Sequence, residues 1–228
     1  VSIGDTAPLA TQGETTRPVT FEDAKLFRWS AGDLDPALAA AYEQLQRAPA
    51  TPAVADDDPA AFLRRTAADA QVASERVRRA VAQQPERRFP DGVLSRQFEM
   101  VASMIKAELP TRVYYVALGG FDTHAGQQGT HPRLLGQFAE AMRAFYDELD
   151  ATGHGGRVVT LAFSEFGRRL RQNSSGGTDH GAAGPLFLFG DAVKPGLLGT
   201  HPSLQPGDLD DGDLTHSIDF RSVYAEVL

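Results

Sequence analysis

The stretch that decides the fold class is RVYYVALGGFDTHAGQ, from Arg112 to Gln127. Its first seven residues form an apolar run, which is typical of a strand buried on both faces of a sheet. Two further runs follow, RVVTLAF (Arg157 to Phe163) and GPLFLFG (Gly184 to Gly190). A helical pattern of apolar residues, His131 to Gly153, separates the first two runs. This alternation predicts an α/β fold with a mostly parallel sheet flanked by helices.

The residues before Arg112 have a different pattern. Helices are predicted over Asp35 to Ala48, Ala60 to Gln84 and Val93 to Leu109, the last of them amphipathic. We therefore expect an N-terminal portion at 1–110, with loops and a helical insertion at about 35–109, and an α/β half with a metal site at 111–228. A final helix is predicted from an N-cap at Asp219. Because it stops within VYAEVL and the chain begins with valine, we expect an incomplete domain, truncated at both ends.

Composition excludes several classes of function. Lys and Arg number 22 against 30 Asp and Glu, a net charge of −8, which does not favour a nucleic-acid partner. The absence of cysteine excludes disulfides and thiolate metal sites. No apolar run approaches the roughly 20 residues of a membrane span, so none is expected.

Acidic and histidine side chains flank each apolar run. GGFDTH follows the first run, SEFGRR follows the second, and GGTDHGAA precedes the third. In open parallel sheets, ligands bind at the carboxyl ends of the strands, so we expect these segments to converge. The candidate metal ligands are Asp122, His124, Glu165, Asp179 and His180.

Carboxylate oxygen and imidazole nitrogen together are the ligands of zinc, manganese and iron sites. Asp122 and His124 stand at i and i+2, so on an extended segment they point to one side and can grip one ion. Asp179 and His180 are adjacent and diverge; they either ligate different ions, or one orients the other. Without cysteine, a catalytic metal site is favoured over a structural one. The alternative is that these residues serve only as turn and capping residues.

The motifs GGFDTHAGQ, FSEFGRR, GGTDHG, GDAVKPGLLGTHP and DFRSVYAEVL resemble those of the DUF1501 family of uncharacterised, usually exported bacterial proteins. The resemblance is close over Arg112 to Leu228 and weaker over Val1 to Leu109. It implies a place in the alkaline phosphatase/sulfatase superfamily, whose members use paired divalent metals in an α/β sheet. It also implies a periplasmic or extracellular location.

The superfamily pattern carries over in part. In a typical member of the superfamily, an Asp-His pair follows one strand, with three residues between the Asp and the His. Asp122 and His124 match this pair, with one residue between them. In such a member, the sequence Ser-Asp-His-Gly follows the next strand. In this chain SEFG takes its place, with Glu165 at the Asp position and Phe166 at the His position. His180 matches a late histidine before an apolar strand. The resemblance further implies that the nucleophile lies in a part of the protein that precedes this chain.

From these residues we expect a metal-dependent hydrolase of phosphate or sulfate esters, with a divalent ion (Zn, Mn, Mg or Ca). Arg168 follows SEFG and is a candidate catalytic residue that clamps substrate oxygens; its alternative is a solvated helix start. Asn173 and Thr178 are candidates to orient ligands, and both also suit simple turns. Because Phe166 replaces an imidazole, the alternative function is a non-catalytic binding module for an anionic ligand, a glycan or a partner protein.

Overall fold

The computed structural model describes residues 1–13, 18–27, 35–47 and 59–227. Its helices are α1 Pro36–Arg47, α2 Pro59–Val81, α3 Val93–Lys106, α4 Gln127–Ala151 and α5 Phe220–Val227. Its strands are β1 Ser2–Ile3, β2 Thr20–Phe21, β3 Thr160–Ala162, β4 Gly167–Gln172, β5 Thr178–Gly181 and β6 Phe187–Phe189.

The predicted helices are all found, with small shifts at their ends. The largest shift is in α4, which begins at Gln127 rather than at His131 and contains Pro132 within it. Gly126 precedes this helix in the left-handed region, at φ 56°. The predicted N-cap of α5 is confirmed, since the Asp219 carboxylate accepts the backbone N–H of Arg221 at 2.9 Å. Within the described ranges, none of the helices combines the length and the apolar character that crossing a membrane requires.

The strands form three two-stranded sheets, so the predicted mixture of helices and strands is confirmed. β1 and β2 pair in parallel, whereas β3 pairs with β6, and β4 with β5, in antiparallel register. In the β4–β5 hairpin, Arg168 lies opposite His180.

The prediction of a mostly parallel sheet is wrong for the part of the chain that is described. β4 and β5 are joined by only the five residues 173–177, and so short a connection permits only antiparallel neighbours. The prediction of a strand over the whole of Arg112 to Leu118 is also wrong. This stretch contributes a single parallel bridge, between Tyr115 and Ser2. The two-residue β1 offers it no longer partner.

The chain divides into two compact units. One comprises Val1–Pro85 and Arg96–Ala117, and the other comprises Glu86–Ser95 and Leu118–Leu228. The buried apolar side chains of the first unit are Ile3, Phe21, Ala24, Val77, Ala80, Phe98, Val101, Ala102, Met104 and Ile105. Those of the second are Leu94, Leu134, Ala141, Met142, Ala144, Phe145 and Leu149. Each large side chain buried in this way stabilises its unit by about 1.5–3 kcal/mol.

In the second unit, α4 anchors the β3–β6 sheet through Tyr146. The phenol donates to the carbonyl oxygen of Phe189 at 2.9 Å and lies 2.9 Å from Oγ1 of Thr160, its cross-strand neighbour. Burial raises the pKa of Tyr146 above its ordinary value, so the hydroxyl remains protonated and able to donate. Phe138 of the same helix adds an edge-to-face contact with Phe189, at 5.9 Å between ring centroids.

Candidate metal centre

The segment before α4 lies against the turn of the β4–β5 hairpin. Ala125 bridges Gly176, and the backbone N–H of Gln127 donates to the Gly176 carbonyl at 3.0 Å. A Cβ at Gly177 would lie only 2.3 Å from the carbonyl carbon of His124, so this approach requires glycine. The glycines of the hairpin turn therefore bring the first and third predicted segments together.

Three predicted ligands meet at this contact. Oδ1 of Asp122 lies 2.9 Å from Nε2 of His124 and 2.7 Å from Nε2 of His180. The two Nε2 atoms lie 3.3 Å apart. Among the described residues, these three side chains form a group that could hold a metal ion. All three are exposed, so an ion held there would be accessible to a substrate.

The hydrogen bonds around His124 fix which ring nitrogen carries its proton. Oδ1 of Asp179 accepts from Nδ2 of Asn173 at 3.1 Å and lies 3.1 Å from Nδ1 of His124. The bond from Asn173, and then that from His124, lowers the pKa of Asp179 below its ordinary value. Asp179 is therefore ionised at neutral pH and can only accept, so Nδ1 of His124 is the donor.

In the tautomer with the proton on Nδ1, Nε2 of His124 carries a lone pair. That lone pair faces Oδ1 of Asp122, whose pKa is lowered below its ordinary value, most of all by the hydrogen bond with His180. Two lone pairs at 2.9 Å repel each other unless a cation lies between them or beside them. This contact therefore suits a proton or a metal ion shared by the two side chains.

The donor set matches that of a catalytic metal site. One carboxylate oxygen and two imidazole nitrogens leave further coordination positions open, as in catalytic zinc sites. Bonds of about 2.0–2.2 Å to a tetrahedral ion place ligand atoms about 3.3 Å apart. The 3.3 Å between the two imidazole nitrogens equals this value, whereas the 2.7 and 2.9 Å separations from Asp122 are hydrogen-bond lengths that would increase by about 0.4–0.6 Å around an ion.

The family described as "Protein of unknown function (DUF1501)" matches residues 2–221 of the chain. The chain belongs to the DUF1501 family. This confirms the membership that the motifs predicted. Neither a curated protein nor a solved structure shows a significant match to the chain.

Arg168 of this DUF1501 chain lies in β4, so the alternative of a solvated helix start is wrong. Its guanidinium donates to the carbonyl oxygens of Phe121 and Thr178 and lies 3.9 Å from Oδ1 of Asp122. Only 18% of its side chain is exposed. In this structure Arg168 ties the two ligand-bearing segments together; its role as a substrate clamp stays a prediction.

The second motif of the DUF1501 chain contributes an aromatic ring rather than a ligand to the group. Phe166 stacks on the imidazole of His180, at 3.9 Å between ring centroids. Glu165 is exposed and lies outside the group of three. The Ser164 hydroxyl donates to the Phe166 carbonyl at 2.9 Å, which fixes a tight local turn that presents Phe166 to His180.

Of the five predicted ligands, the structure therefore joins Asp122, His124 and His180, and it places Asp179 behind His124. Asn173 was predicted either to orient ligands or to form a turn; it forms the turn and also bonds Asp179, while its role in orienting ligands stays a prediction. Its Nδ2 donates to Asp179, while its Oδ1 accepts the backbone N–H groups of Ser175 and Gly177 at 3.0 and 3.1 Å.

Proposed function

We propose that Asp122, His124 and His180 hold one divalent metal ion, and that this centre hydrolyses phosphate or sulfate esters. The observation that carries the proposal is that three candidate ligand atoms lie within 3.3 Å of one another. In addition, Nδ1 of His124 donates its proton to Asp179, which leaves Nε2 available to bind an ion. Two of the three donors are imidazoles, which suit zinc or manganese better than calcium or magnesium, because the latter prefer oxygen ligands.

The bound ion would supply Lewis acidity, lowering the pKa of a nucleophile and neutralising charge on the transferred group. Asp122 contributes the negative charge that attracts the ion, and the imidazoles contribute neutral donors. The guanidinium of Arg168, 3.9 Å from Asp122, adds a fixed positive charge beside the centre. That charge favours an anionic substrate over a neutral one.

The resemblance to the alkaline phosphatase/sulfatase superfamily supports the proposal for two of its three motifs. The first and third motifs supply Asp122, His124 and His180 as a single group. The second motif supplies Phe166 in place of an imidazole, so we propose one ion held by this chain's residues rather than a pair. An alkaline phosphatase-like fold for the whole protein, and export from the cytoplasm, belong to the same proposal.

A screen of phosphate and sulfate monoesters tests this function. Metal-stripped protein would be assayed before and after addition of Zn²⁺ or Mn²⁺, beside the variants His124→Ala and His216→Ala. His216 is exposed and lies outside the group of three, so its loss serves as the matched control. We expect activity that depends on the ion, is lost in His124→Ala and is kept in His216→Ala. Equal activity in the wild type and His124→Ala contradicts the proposal.

The second candidate function is a non-catalytic binding module, which the stacking of Phe166 on His180 favours. Such a module would use the centre to hold an anionic ligand, a glycan or an acidic partner without turning it over. Metal-loaded protein that binds inorganic phosphate or sulfate in calorimetry, yet hydrolyses no ester in the screen, supports this function over hydrolysis.

A further inference from the structure

Asp179 is a predicted ligand that the structure places behind His124 rather than in the group of three. It lies in β5 directly before His180, yet it does not join the group formed by Asp122, His124 and His180. Instead its Oδ1 lies 3.1 Å from Nδ1 of His124, on the side of that ring opposite the ligand atom Nε2. Asp179 thus contacts the metal site only through His124.

We propose that Asp179 is a positioning residue that holds His124 in the tautomer with the proton on Nδ1. This inference rests on the proposed metal site. A neutral imidazole has one N–H and one lone pair, and the hydrogen bond made by one nitrogen decides which of them can bind metal. With a carboxylate at Nδ1, the lone pair is on Nε2, the atom that faces Asp122 and His180. Metal-bound histidines commonly donate their other N–H to a carboxylate in this way.

Asn173 fixes the position of Asp179. The same amide nitrogen donates to Oδ1 of Asp179 at 3.1 Å and to the backbone carbonyl of His124 at 3.0 Å. The amide oxygen of Asn173 is held in turn by the backbone N–H groups of Ser175 and Gly177. Because both ends of the amide are used, its orientation is set by the hairpin turn. The hairpin turn therefore orients the amide of Asn173, and this amide holds the Asp179 carboxylate beside the ring of His124.

Two substitutions separate the charge of Asp179 from its hydrogen bond. Asp179→Asn keeps an acceptor oxygen of the same size and removes the charge, whereas Asp179→Ala removes the acceptor. The exposed Asp211, which lies 3.5 Å from Arg169 and outside the group of three, supplies the matched control Asp211→Ala.

The first readout is the ¹⁵N spectrum of the His124 ring in metal-free protein. We expect the Nδ1–H tautomer in the wild type, in Asp179→Asn and in Asp211→Ala, and a shift toward Nε2–H in Asp179→Ala. The second readout is Zn²⁺ affinity by competition with a chelator dye. We expect about a 10- to 100-fold loss in Asp179→Ala and a smaller loss in Asp179→Asn.

An unchanged tautomer in Asp179→Ala overturns the inference. So does a loss of zinc in Asp179→Ala as complete as that in His124→Ala, because Asp179 would then be a ligand. If the wild type binds no zinc while the tautomer still follows Asp179, the proposed metal site fails and the positioning role stands.

Discussion

The ring of Phe166 lies parallel to the imidazole of His180, with 3.9 Å between centroids and 8° between planes. Nε2 of His180 lies 2.7 Å from Oδ1 of Asp122. Because the Phe166 ring stacks on the His180 ring, it restricts the orientation of the imidazole and thus the direction of Nε2. The guanidinium carbon of Arg168 lies 5.0 Å from the centre of the Phe166 ring. One aromatic side chain thus contacts both a candidate ligand and the arginine that ties the two ligand segments together.

Replacing Phe166 by alanine should weaken metal binding without removing a ligand. Aromatic stacking of this kind is worth about 0.5–1.5 kcal/mol, so we expect Zn²⁺ affinity to fall by about 2- to 13-fold. A competition titration measures this. Phe163→Ala is the matched control, since Phe163 is a more exposed aromatic on the same loop and contacts Tyr224 instead. Equal affinities in the two variants would show that the stack does not orient His180.

Replacing Arg168 by leucine should destabilise the second unit. The carbonyls of Phe121 and Thr178 would lose their charged donor, which costs about 1–3 kcal/mol of unfolding free energy. Urea denaturation measures the change. Arg171 is exposed on the same strand, and Arg171→Leu should alter stability by no more than about 0.5 kcal/mol. If the two variants unfold at the same urea concentration, the hydrogen bonds from Arg168 to Phe121 and Thr178 do not stabilise the second unit.

The sequence was sufficient for features that depend on neighbouring residues. The amphipathic α3, the N-cap at Asp219 and the family motifs are all readable over a few turns of chain. The convergence of Asp122, His124 and His180 as candidate ligands was also predictable, because imidazole and carboxylate groups beside glycine-rich turns have few structural uses together.

Features that depend on strand pairing were not predictable. The strand GRRLRQ carries three arginines and no apolar alternation, so its partner β5 could be known only from the fold. The apolar stretch at Arg112 to Leu118 has the composition of a strand but finds only a two-residue partner in β1. The role of Asp179 depends on a contact with His124, 55 residues away, which spacing alone does not reveal.

Glu148 provides a test of the scaffold away from the centre. Its carboxylate is 2% exposed and accepts the backbone N–H groups of Glu86 and Arg87 at 3.1 and 2.7 Å. Glu148→Ala leaves both donors without this acceptor, so we expect a loss of about 2–3 kcal/mol in urea unfolding. The neighbouring Asp147 makes an exposed pair with Arg143, and Asp147→Ala should cost at most about 0.5 kcal/mol. A Glu148→Ala protein as stable as Asp147→Ala would contradict this role.

The N-cap of α5 should respond to acid. The side chain and backbone N–H groups of Arg221 lower the pKa of Asp219 from 3.8 to about 2. Because the folded-state pKa is depressed, the stabilisation of this helix end is complete above the ordinary value and is lost as the pH falls through about 2. A carboxyl ¹³C titration should show a midpoint near 2 in the wild type, and Arg221→Ala should raise it. A wild-type midpoint at the ordinary value would contradict the pairing.

The most direct test of the central claim is the metal content of the protein after dialysis against Zn²⁺, measured by elemental analysis. The wild type would be compared with a variant in which Asp122, His124 and His180 are all alanine, with circular dichroism confirming that both are folded. We predict one zinc ion per chain in the wild type and none in the variant. A folded wild type without zinc, or a triple variant that retains it, would contradict the account.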